Sequence, residues 1–203
     1  MWVASKEENK RALRRATLSR RNSLSKPECL LWSRQIQAKA LQLPLFLACR
    51  SVALYSSVQN EVSTEIILEH SLRRGYKVFY PKLRANDAVD LVLSAGELGA
   101  GRLGILEPTG AEFLAETDYK GLVVFVPGVA FDTQGNRLGR GKGCYDRLLA
   151  RLGREAIFVA LAYEFQVVER VPTEAWDRKV NCIITEERLI DCGETPPLSS
   201  RIY

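Results

Sequence analysis

The chain has 203 residues, of which 46% are hydrophobic and 26% charged, a balance that supports one sizeable globular core and lies far from that of disordered chains. Its 29 Lys and Arg against 24 Asp and Glu give a formal charge of +5 and a pI near 9.0, a modest excess suited to a small anionic ligand. The single histidine, His70, and five scattered cysteines without a C-x-x-C pair exclude the usual zinc sets, Ser-His-Asp and Cys-His catalysis, and a disulfide framework.

The chain starts Met1-Trp2-Val3-Ala4-Ser5-Lys6, with no apolar signal core, and no apolar run approaches the roughly 20 residues that cross a bilayer. A cytoplasmic protein without a membrane partner is expected, folded as a single domain over residues 1–203. Within it, residues 1–43 form a basic helical region and 193–203 a loosely held tail. Ser5 followed by Glu8 reads as a capping box, and Ala12, Leu13, Ala16 and Leu18 give residues 5–21 the pattern of a basic amphipathic helix. Its dense run from Lys10 to Arg21 fits either a solvated helix face or a nucleic-acid contact, and base rates favour the former. A second helix is expected over 25–41, with Ser25 as cap and Pro27 in the first turn, and Pro44 closes that region.

Beyond Pro44 short apolar runs alternate with helical stretches. Strands are expected at Ser51–Tyr55, Lys77–Tyr80, Val89–Val92, Leu122–Val126, Ile157–Tyr163 and Cys182–Thr185, and helices at Thr64–Arg74 and Tyr145–Leu152. Such alternation predicts an α/β fold: three layers, with a mostly parallel sheet flanked by helices. Gly96 to Gly110 carries five glycines and Pro108 and reads as a functional loop.

The segment richest in chemistry is Leu122 to Leu152. An apolar strand ends in Pro127-Gly128, Phe131-Asp132 follows, and Gly135-Asn136-Arg137-Leu138-Gly139-Arg140-Gly141-Lys142-Gly143 leads into a helix. Glycines let backbone N–H groups face an anion, the helix start adds partial positive charge, and Arg137, Arg140 and Lys142 add full charges, a combination suited to phosphate. The pattern is neither a Walker A loop nor G-x-G-x-x-G, and spacing alone leaves a flexible turn open as the other reading. Asp146, in the first helical turn, can hold a magnesium ion beside phosphates or serve as an ordinary first-turn acid.

The run Phe125-Val126-Pro127-Gly128, then Asn136 through Gly143, then Tyr145-Asp146, closely resembles the 5-formyltetrahydrofolate cyclo-ligase family. Lys10-Arg11-x-x-Arg14, Glu61-Val62-x-Thr64, Gly104-Ile105-x-Glu107-Pro108, and Asp177 with Ile183-Ile184-Thr185-Glu186 extend the resemblance over nearly the whole chain. It implies a sugar-phosphate isomerase/CoA transferase-like fold and conversion of 5-formyltetrahydrofolate, polyglutamylated or not, and ATP to 5,10-methenyltetrahydrofolate, ADP and phosphate, with Mg2+ as cofactor, in a monomer. By motif position it implies ATP contacts at Lys10, Arg14, Arg137, Gly139, Arg140, Gly141, Lys142, Gly143 and Tyr145. It implies substrate contacts at Ser56, Glu61, Arg140, Gly141, Gly143 and Cys144, and metal ligands at Asp146 and Asn181. Arg140, between two glycines, is assigned to the transferring phosphate and Lys142 to the phosphate chain. Glu61 has a second reading as a helix N-terminal carboxylate.

Two positions depart from the family pattern: Cys144 stands where most relatives carry a tyrosine before Tyr-Asp, and Asn181 where a second aspartate follows Asp177 by four. An aromatic surface near the substrate is lost at the first, and a ligand charge at the second. Competing readings are a phosphosugar isomerase or CoA transferase on the same fold, and an RNA-binding module built on the basic helix.

Overall fold

The computed structural model describes residues 5–85, 88–94, 97–101 and 105–193. Gly96, Gly104 and residues 194–203, on which parts of the expected loop and tail fall, lie outside the described residues.

Capping boxes open the first two helices, α1 (Lys6–Asn22) and α2 (Lys26–Leu41), where Ser5 and Ser25 each pair reciprocally with the glutamate three residues on. Pro44 does not close the helical region as expected. With its φ preset and no N–H to satisfy, it stands in the first turn of a further helix, α3 (Pro44–Ala48). The other α-helices among the described residues are α4 (Glu65–Arg73) and α5 (Cys144–Leu152), and Glu116–Asp118 and Glu164–Gln166 form single 3-10 turns.

Short, largely apolar runs build a seven-stranded sheet from β1 (Ser51–Ala53), β2 (Lys77–Leu83), β3 (Val89–Leu93), β6 (Val123–Val126), β9 (Ile157–Leu161), β11 (Cys182–Ile184) and β12 (Leu189–Asp191). The smaller strands are β4 (Leu98–Ala100), β5 (Leu106–Pro108), β7 (Ala130–Asp132), β8 (Arg137–Leu138) and β10 (Val167–Val168). The large sheet runs β12-β11-β9-β6-β1-β2-β3, parallel from β11 to β2, with antiparallel β12 and β3 at its edges. Strands β10-β7-β8 form a second sheet, and β4 and β5 an antiparallel pair inside the segment expected to be loop. Two- and three-residue strands carry too little alternation to stand out among glycines.

Because successive strand residues point to opposite faces, the sheet buries two cores. Val52, Leu54, Val123 and Phe125 pack against Ile36, Ala40, Phe46 and Ile67 of α2, α3 and α4. On the other face Ala53, Phe79, Val124 and Val126 pack against Leu148, Leu149 and Leu152 of α5. Helix, sheet and helix thus give three layers.

α1 follows a different rule. Its buried residues are Lys10, Thr17 and Arg21, with Arg14 half-buried between them, whereas Ala12 and Ala16 are exposed. Spacings of four, seven and eleven from Lys10 place these polar residues on one stripe, so the face turned inward is cationic. The solvated-face reading holds for Arg11, Arg15 and Arg20 and fails for Lys10 and Arg21.

Candidate active site

From β1 the chain steps outward to β2 and β3, and from β6 it steps the opposite way to β9, β11 and β12. The direction of winding reverses between β1 and β6, and in open α/β sheets the crevice beyond the carboxyl ends of such a strand pair takes ligands. Tyr55 and Ser56, just after β1, and Pro127 and Gly128, just after β6, line a cavity of about 540 Å3 at that point.

The glycine-rich segment forms one wall. Asp132 prepares it: its Oδ1 accepts N–H bonds from Gln134 and Asn136, and its Oδ2 accepts from Asn136 Nδ2 at 2.9 Å and Val171 N at 3.0 Å. The turn thus fixed returns the chain as β8 and sets Arg137 against the cavity. Gly139, Arg140, Lys142, Gly143, Cys144, Tyr145 and Asp146 line the cavity beyond it. Gly143, at φ +63, turns the chain into α5 in a conformation that a side chain would strain, and gives the helix no side-chain cap. The first-turn N–H groups of α5 therefore remain available to an anion.

Charge across the cavity is paired. Arg137, buried, donates from Nη2 to Asp146 Oδ1 at 2.7 Å, and its guanidinium lies 5.7 Å from the Tyr145 ring centroid. Burial first, and then the negative charge of Glu61, push the Tyr145 phenol well above its usual range, so it stays protonated as a hydrogen-bond donor. Arg140 donates to Gln59 Oε1 at 2.6 Å and to Glu61 Oε1 at 2.8 Å. Glu61 also accepts from Val58 N, at 3.2 Å, which keeps its loop closed. Ser56 donates to the Leu106 carbonyl at 2.7 Å, tying β1 to the β4–β5 pair, whose Ile105 and Glu107 complete another wall. Lys142 faces the cavity without an ion-pair partner among the described residues.

The structure thus gathers Ser56, Glu61, Arg137, Gly139, Arg140, Lys142, Gly143, Cys144, Tyr145 and Asp146 around one space. Gly141 stands just behind them, where an added Cβ would come 3.6 Å from Arg14 Cζ. Lys10 and Arg14 are not among the lining residues. Arg14 Nε donates to the Gly139 carbonyl at 3.0 Å, and Lys10 pairs with Asp177 at 3.1 Å.

Asn181 is set apart from Asp146. It precedes β11, at the opposite end of the parallel strands, where its Oδ1 accepts the Phe158 N–H at 2.6 Å and its own N–H donates to the Phe158 carbonyl. An amide oxygen so engaged extends the sheet and is not offered to a metal beside Asp146, so the expected pair of ligands is not brought together. Among the described residues no three His, Cys, Asp or Glu side chains cluster as a metal site. No helix among them is long and apolar enough to cross a membrane.

Arg21 was not singled out from the sequence as a site residue. It is fully buried and bonds the carbonyls of Gln59 and Gly128, both of which line the cavity. Its signal was the helical spacing it shares with Lys10 and Arg14.

These features define an α/β protein with a ligand cleft at the switch point of its sheet, walled by a cationic glycine loop and a helix N-terminus. Comparison with known proteins makes this specific. The sequence profile of the 5-formyltetrahydrofolate cyclo-ligase family matches residues 6–186. The 5-formyltetrahydrofolate cyclo-ligase of Mus musculus is 30% identical over 190 residues, covering 88% of this chain and 94% of that one. The enzyme of the same name from Mycolicibacterium smegmatis is 32% identical, covering 89% and 95%. The solution structure of Aquifex aeolicus 5,10-methenyltetrahydrofolate synthetase superposes with a TM-score of 0.79 at 35% identity, over 96% of this chain and 98% of that one. The chain belongs to the 5-formyltetrahydrofolate cyclo-ligase family of enzymes.

Proposed function

We propose that this enzyme uses ATP to cyclise 5-formyltetrahydrofolate to 5,10-methenyltetrahydrofolate, releasing ADP and phosphate, in the cytoplasm and on a fold of the sugar-phosphate isomerase/CoA transferase type. The observation that carries the reading is the cavity in which Ser56 and Glu61 face the Arg137–Asp146 segment, a substrate wall opposite a phosphate wall.

The chemistry requires such a pairing. A formamide oxygen is a poor leaving group, and N10 of the folate cannot expel it as hydroxide. Transfer of the γ-phosphoryl group to that oxygen breaks the bond to ADP and makes the oxygen a phosphate ester. The N10 lone pair then bonds to the formyl carbon, N10 loses its proton, and the C–O bond breaks to release phosphate. Catalysis of this kind is positioning plus stabilisation of spread negative charge, and no side-chain nucleophile is needed. Arg140 is assigned to the phosphoryl group in transfer, and Lys142, with the backbone around Gly141 and Gly143, to the phosphate chain. Arg14 holds the loop from behind through the Gly139 carbonyl, and Lys10 acts at the far edge of the same face. Tyr145 donates a hydrogen bond, and Glu61 accepts from folate nitrogens.

A magnesium ion fits these residues only as a companion of the nucleotide. Mg2+ takes one or two carboxylates and fills its shell with phosphate and water, and Asp146 offers Oδ2, which has no hydrogen-bond partner among the described residues. Bound there it would neutralise phosphate charge.

Mixing purified protein with magnesium, ATP and 5-formyltetrahydrofolate should raise the near-ultraviolet absorbance of the methenyl product, with one ADP formed per turnover. ATP-independent product, or ATP consumption without product, would overturn the reading. Of the basic side chains in the run Lys10–Arg21 only Arg11, Arg15 and Arg20 are exposed, which weakens the RNA-binding alternative.

A further inference from the structure

Glu61 is held by two guanidinium groups of opposite character. Both reach the same oxygen, Oε1: Arg140 Nη2 at 2.8 Å and Arg21 Nη2 at 3.5 Å. The Arg140 side chain is 40% exposed and projects from a glycine-flanked loop, whereas that of Arg21 is 1% exposed and fixed. Arg21 Nε donates to the Gln59 carbonyl and Nη1 to the Gly128 carbonyl, each at 3.1 Å, and Asn60 Nδ2 returns a bond to the carbonyl of Arg21 itself. These bonds clasp a loop whose Gln59 and Asn60 sit at φ 49° and 57°, a left-handed conformation that non-glycine residues adopt only when their surroundings impose it. Arg21 Nη2, although buried, makes no hydrogen bond. It is a donor aimed at a carboxylate that another cation now occupies.

We propose that Arg21 is a positioning residue, the standing counter-ion of Glu61, which allows Arg140 to leave that carboxylate for an anionic phosphate without stranding a buried charge. Removing one partner of a buried ion pair is costly because the survivor has neither water nor a counter-charge. Glu61 has an 8% exposed side chain and would incur that cost whenever Arg140 moved to a nucleotide. With Arg21 in place, Nη2 takes up the freed oxygen. Arg140 can therefore serve the Gln59–Glu61 loop in the empty enzyme and the phosphate in the loaded one. This inference rests on the ATP-binding reading above.

The test is calorimetric titration with MgATP in the absence of folate, so that any direct role of Glu61 toward folate does not enter. Arg21→Gln should weaken MgATP binding about tenfold, because Arg140 becomes the one counter-ion of Glu61 among the described residues. In Arg21→Gln/Glu61→Gln the carboxylate no longer holds Arg140, and affinity should return to that of Glu61→Gln alone. Glu61→Gln by itself, which keeps Arg21 and its two carbonyl bonds, should tighten MgATP about fivefold. This last variant carries the test if Arg21→Gln does not fold. A purely structural Arg21 would leave the double variant as weak as the single one. That result, unchanged affinity in Arg21→Gln, or weaker binding in Glu61→Gln overturns the proposal. Absence of heat from the unmodified enzyme with MgATP overturns the functional reading itself, and is thereby distinguished from failure of the Arg21 proposal.

Discussion

Arg137 and Arg140 stand three residues apart and are held by different means, which separates their effects. Arg137 is buried against Asp146, so its loss would unsettle the loop, whereas the half-exposed Arg140 can be removed with little disturbance of packing. Arg140→Ala is expected to lower turnover about 100-fold with the unfolding midpoint almost unchanged, as steady-state assays and thermal melts would show. Cys144 lines the cavity with a small thiol, and Cys144→Tyr should lower the KM for folate about fivefold by adding a ring to stack on the substrate, read from initial rates. The Arg137–Asp146 segment was legible as a cavity wall because glycine and positive charge ahead of a helix suit phosphate, whereas Lys10 and Arg14, expected from the family resemblance alone, do not line the cavity. Arg21 was not legible, since within a basic run a buried arginine looks like a solvated one until the loop that covers it is known. Asn181, expected from the family resemblance to share a metal with Asp146, is placed away from it, and only tertiary pairing shows its oxygen engaged by the Phe158 N–H.

Elements differ in how much of themselves they declare. The long helices α1 and α2 announced their starts through Ser5 with Glu8 and Ser25 with Glu28, and the structure places both within a residue of expectation. Hydrogen bonds hold both carboxyls below their usual range, for Glu8 from the Ser5 N–H and then its hydroxyl, and for Glu28 from the Ser25 hydroxyl and then its N–H. A carboxyl whose folded pKa is depressed contributes fully above the unfolded value of about 4.3 and loses that contribution as pH falls through the folded value. Protection of the amides in the first turns of α1 and α2, corrected for the intrinsic exchange rate, should therefore fall below about pH 4, before the rest of either helix responds. The short strands β4, β5, β7, β8, β10 and β12 were not legible, because two or three residues acquire strand geometry from the partners they pair with. β7 shows how the neighbourhood constrains such a piece: a Cβ on Gly128 would stand 2.3 Å from the ring of buried Phe131. Gly128→Ala should cost about 3 kcal/mol in denaturant unfolding, since the buried ring must shift to admit the methyl group.

At the scale of the molecule, α1 touches the loop after β1, the turn after β6, the glycine segment and the loop carrying Glu174 and Asp177. We propose that residues 5–193 unfold as one unit, so that far-ultraviolet circular dichroism and the fluorescence of Trp32 and Trp176 follow a single denaturant curve. Non-coincident curves would instead reveal separate domains. The three layers were readable in advance from the alternation of β-branched runs with helices, while the role of α1 as a strap was not, because its partners lie from about 40 to 170 positions away along the chain. That separation matters during synthesis. Lys10 and Arg21 leave the ribosome before Gln59, Gly128 and Asp177, so α1 must wait, charged and undocked, until residue 177 has emerged. A nascent chain stalled before residue 174 would lack both carboxylates that hold Lys10 from the far side.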